Sequence, residues 1–351
     1  MNKKQFFQGI IFLCIVFILL SCSTYIVRTN GEVKDRFAGY YAEDKNSIDV
    51  IYVGASPVGA SFSPGLLWHE TGITSYPLSS NSQPTKSIKH LVKEAYGRQK
   101  PQLFVIEVRM FAEDLKEQEE DLAHIREVTD NMRQSPNRIR TINALVNDKK
   151  ERYTYYFDII KFHSNWQMFA DANELKKFNY AVKNTDKGAV FSNEYMELSK
   201  GLPEIDPDMY DYMEAISTEQ EEVLRDLLSY LKQNNIPALF VATPQFIRAH
   251  YFGNMHYIGS VVNEYGYDFY DMYSRPEDYG FDFDRDLKDG SHTNTYGSYK
   301  CTLAIADYIN SNYSIDTSLS NESESDWQEA YESFVRAWED ATNNAVYVDS
   351  Y

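Results

Sequence analysis

The sequence predicts an α/β domain built on a parallel sheet of about five strands, with a helical insertion and an N-terminal membrane anchor. Short runs of branched apolar residues alternate with helical stretches, which is typical of strands joined by crossover helices. An uncharged apolar run occupies the N-terminus, and residues 110–210 interrupt the alternation. The 351 residues are enough for one large domain with a sizeable insertion.

The N-terminal run covers residues 6–27 and contains no charged residue. At a rise of about 1.5 Å per residue, a helix of this length crosses a hydrocarbon core of roughly 30 Å. Lys3 and Lys4 precede the run, so the positive-inside rule keeps the N-terminus in the cytoplasm. We therefore expect the remainder on the extracytoplasmic face of a bacterial membrane.

Two forms of attachment remain open from the sequence. Leu19-Leu20-Ser21-Cys22 is similar to the lipobox of bacterial lipoproteins, in which the cysteine is lipidated. The apolar run continues to Val27, however, which favours an uncleaved signal anchor over residues 1–27.

Charge and motif content exclude several classes of protein. The formal charge is −18, and it becomes −20 without residues 1–27 because these include Lys3 and Lys4 but no acid. A surface of this sign repels nucleic acid, so no nucleic-acid partner is expected. No Gly-rich phosphate loop, dinucleotide fingerprint or metal-ligand cluster occurs in the sequence, which therefore predicts no cofactor and no metal. Cys301 is the one cysteine outside the anchor, so a disulfide within the domain is excluded.

The elements follow in order along the chain. Residues 28–47 are polar and charged and are predicted to form a stalk. The α/β domain is expected over 48–314, with strands near 48–53, 73–78, 103–106, 236–242 and 267–270, and helices near 64–71, 84–98, 218–234, 257–265 and 295–311. Residues 315–351 form an acidic tail whose aromatic residues recur at helical spacing. We expect a helix packed on its own domain, the alternative being a helix that binds a partner.

Two short motifs carry the predicted chemistry. Gly54-Ala55-Ser56-Pro57 follows the first buried strand, where a tight turn can expose a serine hydroxyl beside backbone N–H groups. In Asp289-Gly290-Ser291-His292, an Asp three residues before a His can orient the imidazole as a general base. The alternative is that Asp289 caps a turn and His292 is an ordinary surface residue.

The order of these motifs resembles the SGNH/GDSL hydrolase superfamily. There the nucleophile follows the first strand in a Gly-x-Ser turn, and an Asp-x-x-His motif precedes the final helix. The match covers residues 48–312 apart from the insertion. The resemblance implies a flavodoxin-like three-layer sandwich in which Ser56 is the nucleophile, His292 the base and Asp289 its orienting carboxylate.

The sequence departs from that superfamily at the groups that would bind an oxyanion. Members usually have a Gly after the second strand and an Asn after the third. Here residues 79–83 read Ser-Ser-Asn-Ser-Gln, and residues 107–109 read Glu-Val-Arg. The remaining candidates are the Ser56 N–H, a backbone N–H near Ser80 or Asn81, and the Arg109 side chain.

The chain is also similar to membrane-anchored members that transfer D-alanyl groups to lipoteichoic acid or O-acetylate alginate. The similarity includes Phe162-His163-Ser164-Asn165-Trp166, which resembles a His-Ser-Arg-Trp segment of such proteins. It makes His163 and Trp166 candidates for substrate contact, the alternative being a packed or capping His163. We expect the insertion at 110–210 to lie over the carboxyl ends of the strands, beside Ser56.

The predicted function is an extracytoplasmic serine esterase or acyltransferase acting on O-linked acyl groups of a cell-envelope glycan or teichoic-type polymer. The expected partners are that polymer or acylated glycan, the membrane through the N-terminal helix, and an acyl-donor protein in the membrane. The alternative is a non-catalytic surface protein of the same fold that binds glycan or protein partners. The departures at the oxyanion site and the acidic aromatic tail support this second hypothesis.

Overall fold

The central sheet of the domain has five parallel strands. The computed structural model describes residues 2–28, 31–178, 180, 182–203, 212–318 and 321–349. The sheet order is β2-β1-β3-β5-β6, and every neighbouring pair is parallel, which confirms the predicted fold class. β4 and β7 form a separate two-residue pair. The strands are β1 (Val50–Gly54), β2 (Ser75–Ser79), β3 (Leu103–Glu107), β4 (Glu194–Tyr195), β5 (Ala238–Ala242), β6 (Asp268–Asp271) and β7 (Val346–Tyr347).

Helices cover both faces of this sheet. The helices of the described residues are α1 (Lys3–Val27), α2 (Glu32–Ala42), α3 (Ser56–Ser61), α4 (Pro64–Thr71), α5 (Thr85–Gln99), α6 (Leu115–Glu120), α7 (Leu122–Thr129), α8 (Pro136–Leu145), α9 (Arg152–Tyr156), α10 (Ile159–Phe162), α11 (Ala172–Phe178), α12 (Thr218–Gln233), α13 (Ala249–Glu264), α14 (Thr295–Asn312) and α15 (Asn321–Asn343). α3, α4, α14 and α15 pack together in one layer, and α5 packs with α8 and α12 in the other. Buried β-branched and aromatic residues of β1, β3 and β5 fill the space between the layers.

The chain reverses direction across the sheet after β2. From β1 it passes outward to β2, and from β2 it returns past β1 to β3. Because both crossovers have the same hand, α4 and α5 lie on opposite faces. The carboxyl ends of β1 and β3 therefore flank a crevice, which is where doubly wound sheets hold their sites.

The predicted stalk is wrong, because residues 32–42 form helix α2, which packs on β2. Val33, Phe37, Tyr40 and Tyr41 are all buried, so one face of this charged helix is apolar. Its cations are buried with partners: Lys34 lies 2.5 Å from the Glu174 carboxylate. The polar composition of the segment concealed this amphipathic face.

The last turn of α1 is part of the folded domain. Thr24 to Val27 are buried, and the Arg28 guanidinium lies 2.5 Å from the Asp158 carboxylate. Arg138 approaches the same carboxylate at 3.1 Å. The second buried carboxylate, Asp130, lies 3.7 Å from Arg138, so two cations and two anions are removed from water together. The pair of Arg28 and Asp158 joins the end of the N-terminal helix to a residue 130 positions away.

Helix α1 is also the one helix in the described part of the chain that is long and apolar enough to cross a membrane. Its side chains from Phe6 to Leu20 are exposed, apart from the half-buried Val16. Cys22 lies within the helix, but its side chain is outside the part that the structure describes. The alternative of a lipidated Cys22 therefore stays a prediction.

The acidic tail contains helix α15, which packs on α4 of its own domain. Trp327, Ala330 and Phe334 of this helix are buried. The two helices approach so closely that a side chain at Gly65 would overlap the Ala330 carbonyl. The aromatic positions that recur at helical spacing thus face the domain.

Asp158→Ala is expected to destabilise the protein by about 3–5 kcal/mol, because it removes the nearest carboxylate of two buried cations, Arg28 and Arg138. Urea unfolding of the full chain in detergent would measure the loss. The control is Glu120→Ala, which breaks the exposed Lys116–Glu120 pair and should have little effect. Equal midpoints for the two variants would contradict this account of the buried pair.

Candidate active site

Ser56 stands where β1 ends and the chain turns into helix α3. Gly54 closes the strand, and Ser56 is the first residue of the helix, followed by Pro57, whose ring suits a first turn. A Cβ on Gly54 would lie 2.6 Å from the Glu107 Cβ, so glycine is required for this close approach to β3. The turn thereby places the Ser56 hydroxyl at the crevice between β1 and β3.

A tight loop before α14 presents the histidine. Leu287 and Thr293 form an antiparallel bridge across the loop. Asp289 Oδ1 accepts hydrogen bonds from the backbone N–H groups of Ser291 at 2.7 Å and His292 at 2.9 Å. Asn294 then caps α14 by accepting from two N–H groups of its first turn. The Asp289 carboxylate therefore fixes both the loop and the imidazole it contacts.

Ser56, His292 and Asp289 form one hydrogen-bonded chain. Ser56 Oγ lies 2.7 Å from His292 Nε2. His292 Nδ1 lies 2.9 Å and 3.0 Å from the two oxygens of Asp289. Since a carboxylate can only accept, Nδ1 carries the proton, and Nε2 is left to accept from the serine hydroxyl. This is the arrangement that a general base needs to activate a serine.

The Asp289 carboxylate is electrostatically suited to that role. Burial by itself would raise its pKa, but the hydrogen bond and charge of His292, the Ser291 N–H and the Lys288 charge hold the pKa below its ordinary value. Asp289 consequently remains ionised at neutral pH, so it can stabilise an imidazolium when His292 takes a proton.

Arg109 joins the histidine loop to the end of β3. One of its guanidinium nitrogens donates to Gln245 Oε1 and to the Ser291 carbonyl, both at 2.9 Å. The side chain is 8% exposed and borders the same cleft as Ser56 and His292. The structure thus brings the predicted Arg109 into the site, where its positive charge faces the space beside the serine.

Glu107 lies buried beneath the serine turn, at the last position of β3. Its carboxylate accepts from the Arg109 N–H at 2.9 Å and from the Thr243 hydroxyl at 3.3 Å, and it also bonds the Ala55 N–H. Burial raises the pKa of this carboxyl above its ordinary value, although the Arg109 charge and these donors oppose the shift. Glu107 is therefore a positioning residue that ties the serine turn to β3 and β5.

The cleft above the serine has a volume of about 320 Å³ and a predominantly polar wall. Ser56, Arg109 and His292 lie on it, together with Arg248 and Tyr251. Most of the rest comes from the start of the insertion, which thus borders the serine as predicted. The insertion residues on the wall are Met110, Glu113, Asp114, Glu117, Gln118, Asp121 and His124.

Ser80 and Asn81, the candidates after the second strand, lie outside this wall. Ser80 is buried and bonds Gln83, while the backbone and side-chain amides of Asn81 both donate to the Glu127 carboxylate. The next residue, Ser82, borders the cleft instead and has a left-handed φ of 36°. The residue of this turn that borders the cleft is thus Ser82, one position after the predicted candidates. The sequence does not indicate the bond between Asn81 and α7.

His163 and Trp166 also lie outside the cleft. They belong to the 3₁₀ turn His163–Ala170, which packs on helix α1. His163 Nδ1 lies 3.2 Å from the Ile160 carbonyl, and Trp166 is 70% exposed. The structure therefore does not bring them to the serine, because only the first part of the insertion reaches it.

Sequence reasoning missed Glu107 and Gln245. Glu107 ends β3, the neighbour of β1, and Gln245 follows β5, the neighbour of β3, so the rule that sites form at carboxyl ends of parallel strands would have found both. Tyr251 and Arg248 lacked such a signal, since they come from α13 and the residue before it, whose approach to the cleft depends on packing.

Within the described ranges, no group of three or more His, Cys, Asp or Glu side chains could hold a metal ion. Comparisons with known protein families and with curated proteins find no match for this chain.

Glu107→Gln is expected to weaken the pH dependence of stability. Ionising this carboxyl costs more in the folded chain than in the unfolded one, so wild-type stability falls as pH rises above an ordinary glutamate pKa of about 4.3. The neutral amide removes that cost. Thermal unfolding of the full chain in detergent, followed from about pH 4 to about pH 8, would measure it.

The exposed Glu70→Gln serves as the control and should keep the wild-type profile. A difference between wild type and Glu107→Gln that stays constant across this range would contradict the assigned direction.

Proposed function

We propose that the protein is a membrane-anchored, extracytoplasmic serine esterase or acyltransferase that acts on O-linked acyl groups of a cell-envelope glycan or teichoic-type polymer. The observation that carries the proposal is the hydrogen-bonded chain of Ser56, His292 and Asp289 at the sheet crevice. The resemblance of the two motifs to the SGNH/GDSL superfamily supports the same chemistry.

In the first half of the reaction, Ser56 Oγ attacks the ester carbonyl carbon while its proton moves to His292 Nε2. The tetrahedral oxyanion is stabilised by the Ser56 N–H and the Arg109 guanidinium, which border the same space. The carbon–oxygen bond to the leaving alcohol then breaks, and His292 returns the proton to that oxygen. An acyl-enzyme and the free alcohol remain.

In the second half, water or a sugar hydroxyl attacks the acyl-enzyme. His292 takes the proton of the attacking group, and Ser56 recovers it when the acyl–serine bond breaks. Water yields a free acid, whereas a hydroxyl of the polymer yields a new ester. Four carboxylates on the cleft wall favour a neutral or cationic acyl group at the serine over an anionic one, because like charges repel there.

The extracytoplasmic location rests on helix α1 and the two lysines before it. A substrate in the cell envelope would be reached directly from this position. An acyl-donor protein in the same membrane would deliver its acyl group close to the domain.

A non-catalytic protein of the same fold is the second candidate. Ser80 and Asn81 lie outside the cleft wall, so the backbone donor expected after the second strand is not in place to bind an oxyanion. Labelling by a fluorophosphonate probe separates the two, since such a probe reacts with an activated serine. Labelling that is lost in Ser56→Ala and retained in the exposed Ser164→Ala supports the enzyme.

Ser56→Ala and His292→Ala are each expected to remove nearly all ester turnover. Asp289→Asn should lose up to about 10⁴-fold, the effect of the same change in a serine protease triad, because it sets the wrong imidazole tautomer. A variant that combines Ser56→Ala with His292→Ala should lose little more turnover than either single variant, because the residues act as a unit. The measurements are turnover of acetyl and alanyl esters, and polymer acylation in a complemented deletion strain. Full activity of a folded Ser56→Ala protein would refute the mechanism.

The chain is expected in the membrane fraction, with its domain cut by protease added outside intact cells. The reason is the apolar span of α1 behind Lys3 and Lys4. Immunoblotting of the cells before and after lysis would show the cleavage. Protection of the domain in intact cells, with digestion only after lysis, would place it on the other side.

A further inference from the structure

Four large apolar side chains are exposed on the segment that surrounds the end of α1. They are Phe157, Ile160, Trp166 and Phe169, with exposures of 55%, 54%, 70% and 41%. We call these four residues the apolar collar. The elements that carry or adjoin them, α10 and the turn His163–Ala170, pack directly on α1.

The turn is held to the helix end by a specific contact as well. Asn165 Nδ2 donates to the Val27 carbonyl at 3.1 Å, which satisfies one of the free carbonyls at the end of α1. Asp158, within the same segment, is the buried partner of Arg28. The apolar collar is therefore fixed in position relative to the helix.

The length of the helix sets the level of the apolar collar in the membrane. A hydrocarbon core of roughly 30 Å takes about 20 residues at about 1.5 Å each, and from Phe6 that distance ends near Tyr25. Yet Thr24 to Val27 are already covered by the domain. The elements that cover them must therefore lie at the level where the helix leaves the hydrocarbon.

From this we infer that the apolar collar is a membrane-interface surface, whose side chains enter the headgroup and upper acyl region of the leaflet that α1 leaves. Its composition fits that site, because tryptophan is enriched at such interfaces and exposed apolar patches otherwise face water at a cost. The exposed Lys161 beside it can extend its ammonium to lipid phosphates. Continuity with the exposed surface of α1 favours lipid over a protein partner.

The consequence is a domain that rests on the bilayer in one orientation. The ion pair of Arg28 and Asp158 fixes the end of α1 to the domain, and the apolar collar fixes the domain to the lipid. Together they set the tilt of the sheet relative to the membrane. The inference rests on the proposed anchor, but not on the proposed chemistry of Ser56.

Fluorescence quenching by brominated lipids tests the inference on the full chain. The protein is reconstituted into vesicles of phosphatidylcholine and phosphatidylglycerol, with bromine near the top of the acyl chains. Bromine should quench part of the tryptophan fluorescence, and Trp166→Phe should remove most of that quenched part. Equal fractional quenching in wild type and Trp166→Phe would overturn the proposal.

Two further variants make the test specific. Trp166→Phe with Tyr212→Trp moves the exposed tryptophan to a segment that packs on α13, at the opposite edge of the sheet from α2, and should not restore quenching. Phe157→Ser with Ile160→Ser keeps Trp166 but should reduce its quenching, because the apolar collar then enters the lipid less deeply. Restored quenching in the first, or unchanged quenching in the second, would count against the apolar collar.

Flotation of the same vesicles separates this proposal from the anchor. Wild type and all variants should float with the lipid through α1. Failure of the wild type to float would refute the anchor, and the apolar collar with it. Flotation without quenching of Trp166 would refute the apolar collar alone, and would leave a protein partner as the occupant of this surface.

Discussion

The reversal of the chain between β2 and β3 is the constraint on which the site depends. It places the ends of β1 and β3 side by side, so that Ser56 and Arg109 project into one crevice. Two sets of bonds then hold the parts together. Glu107 ties the serine turn to β3, and Arg109 ties the histidine loop to β3 and to Gln245. The distance from Ser56 to His292 follows from these ties.

Buried charge is used for position throughout the molecule. Arg28 and Asp158 fix the helix end, Lys34 and Glu174 fix α2, and Glu107 fixes the serine turn. Each buried charged group loses its hydration and therefore needs a partner within hydrogen-bond distance. Moving that partner away costs more free energy than moving an apolar side chain by the same distance. These contacts therefore hold the helices and the serine turn in one position. Hydrophobic packing alone would constrain their positions less.

The strands and the pair Ser56 and His292 could be predicted from sequence, because buried β-branched runs and turn motifs are local signals. The sequence predicts a stalk where α2 forms, because Glu174, the partner that neutralises Lys34, lies far along the chain. Ser80, Asn81, His163 and Trp166 were placed near the serine by resemblance. Their positions instead depend on packing against α7 and α1, which no local pattern encodes.

The burial of Thr24 to Val27 has a consequence for how the chain can be processed. Cleavage directly before Cys22 would leave these residues in the domain. Cleavage after Val27 would remove them and expose the apolar surface of the domain that they cover. A soluble fragment that begins at Arg28 would have the same defect and would tend to aggregate. The boundary between the exposed apolar part of α1 and the folded domain therefore lies inside the helix, before its last turn.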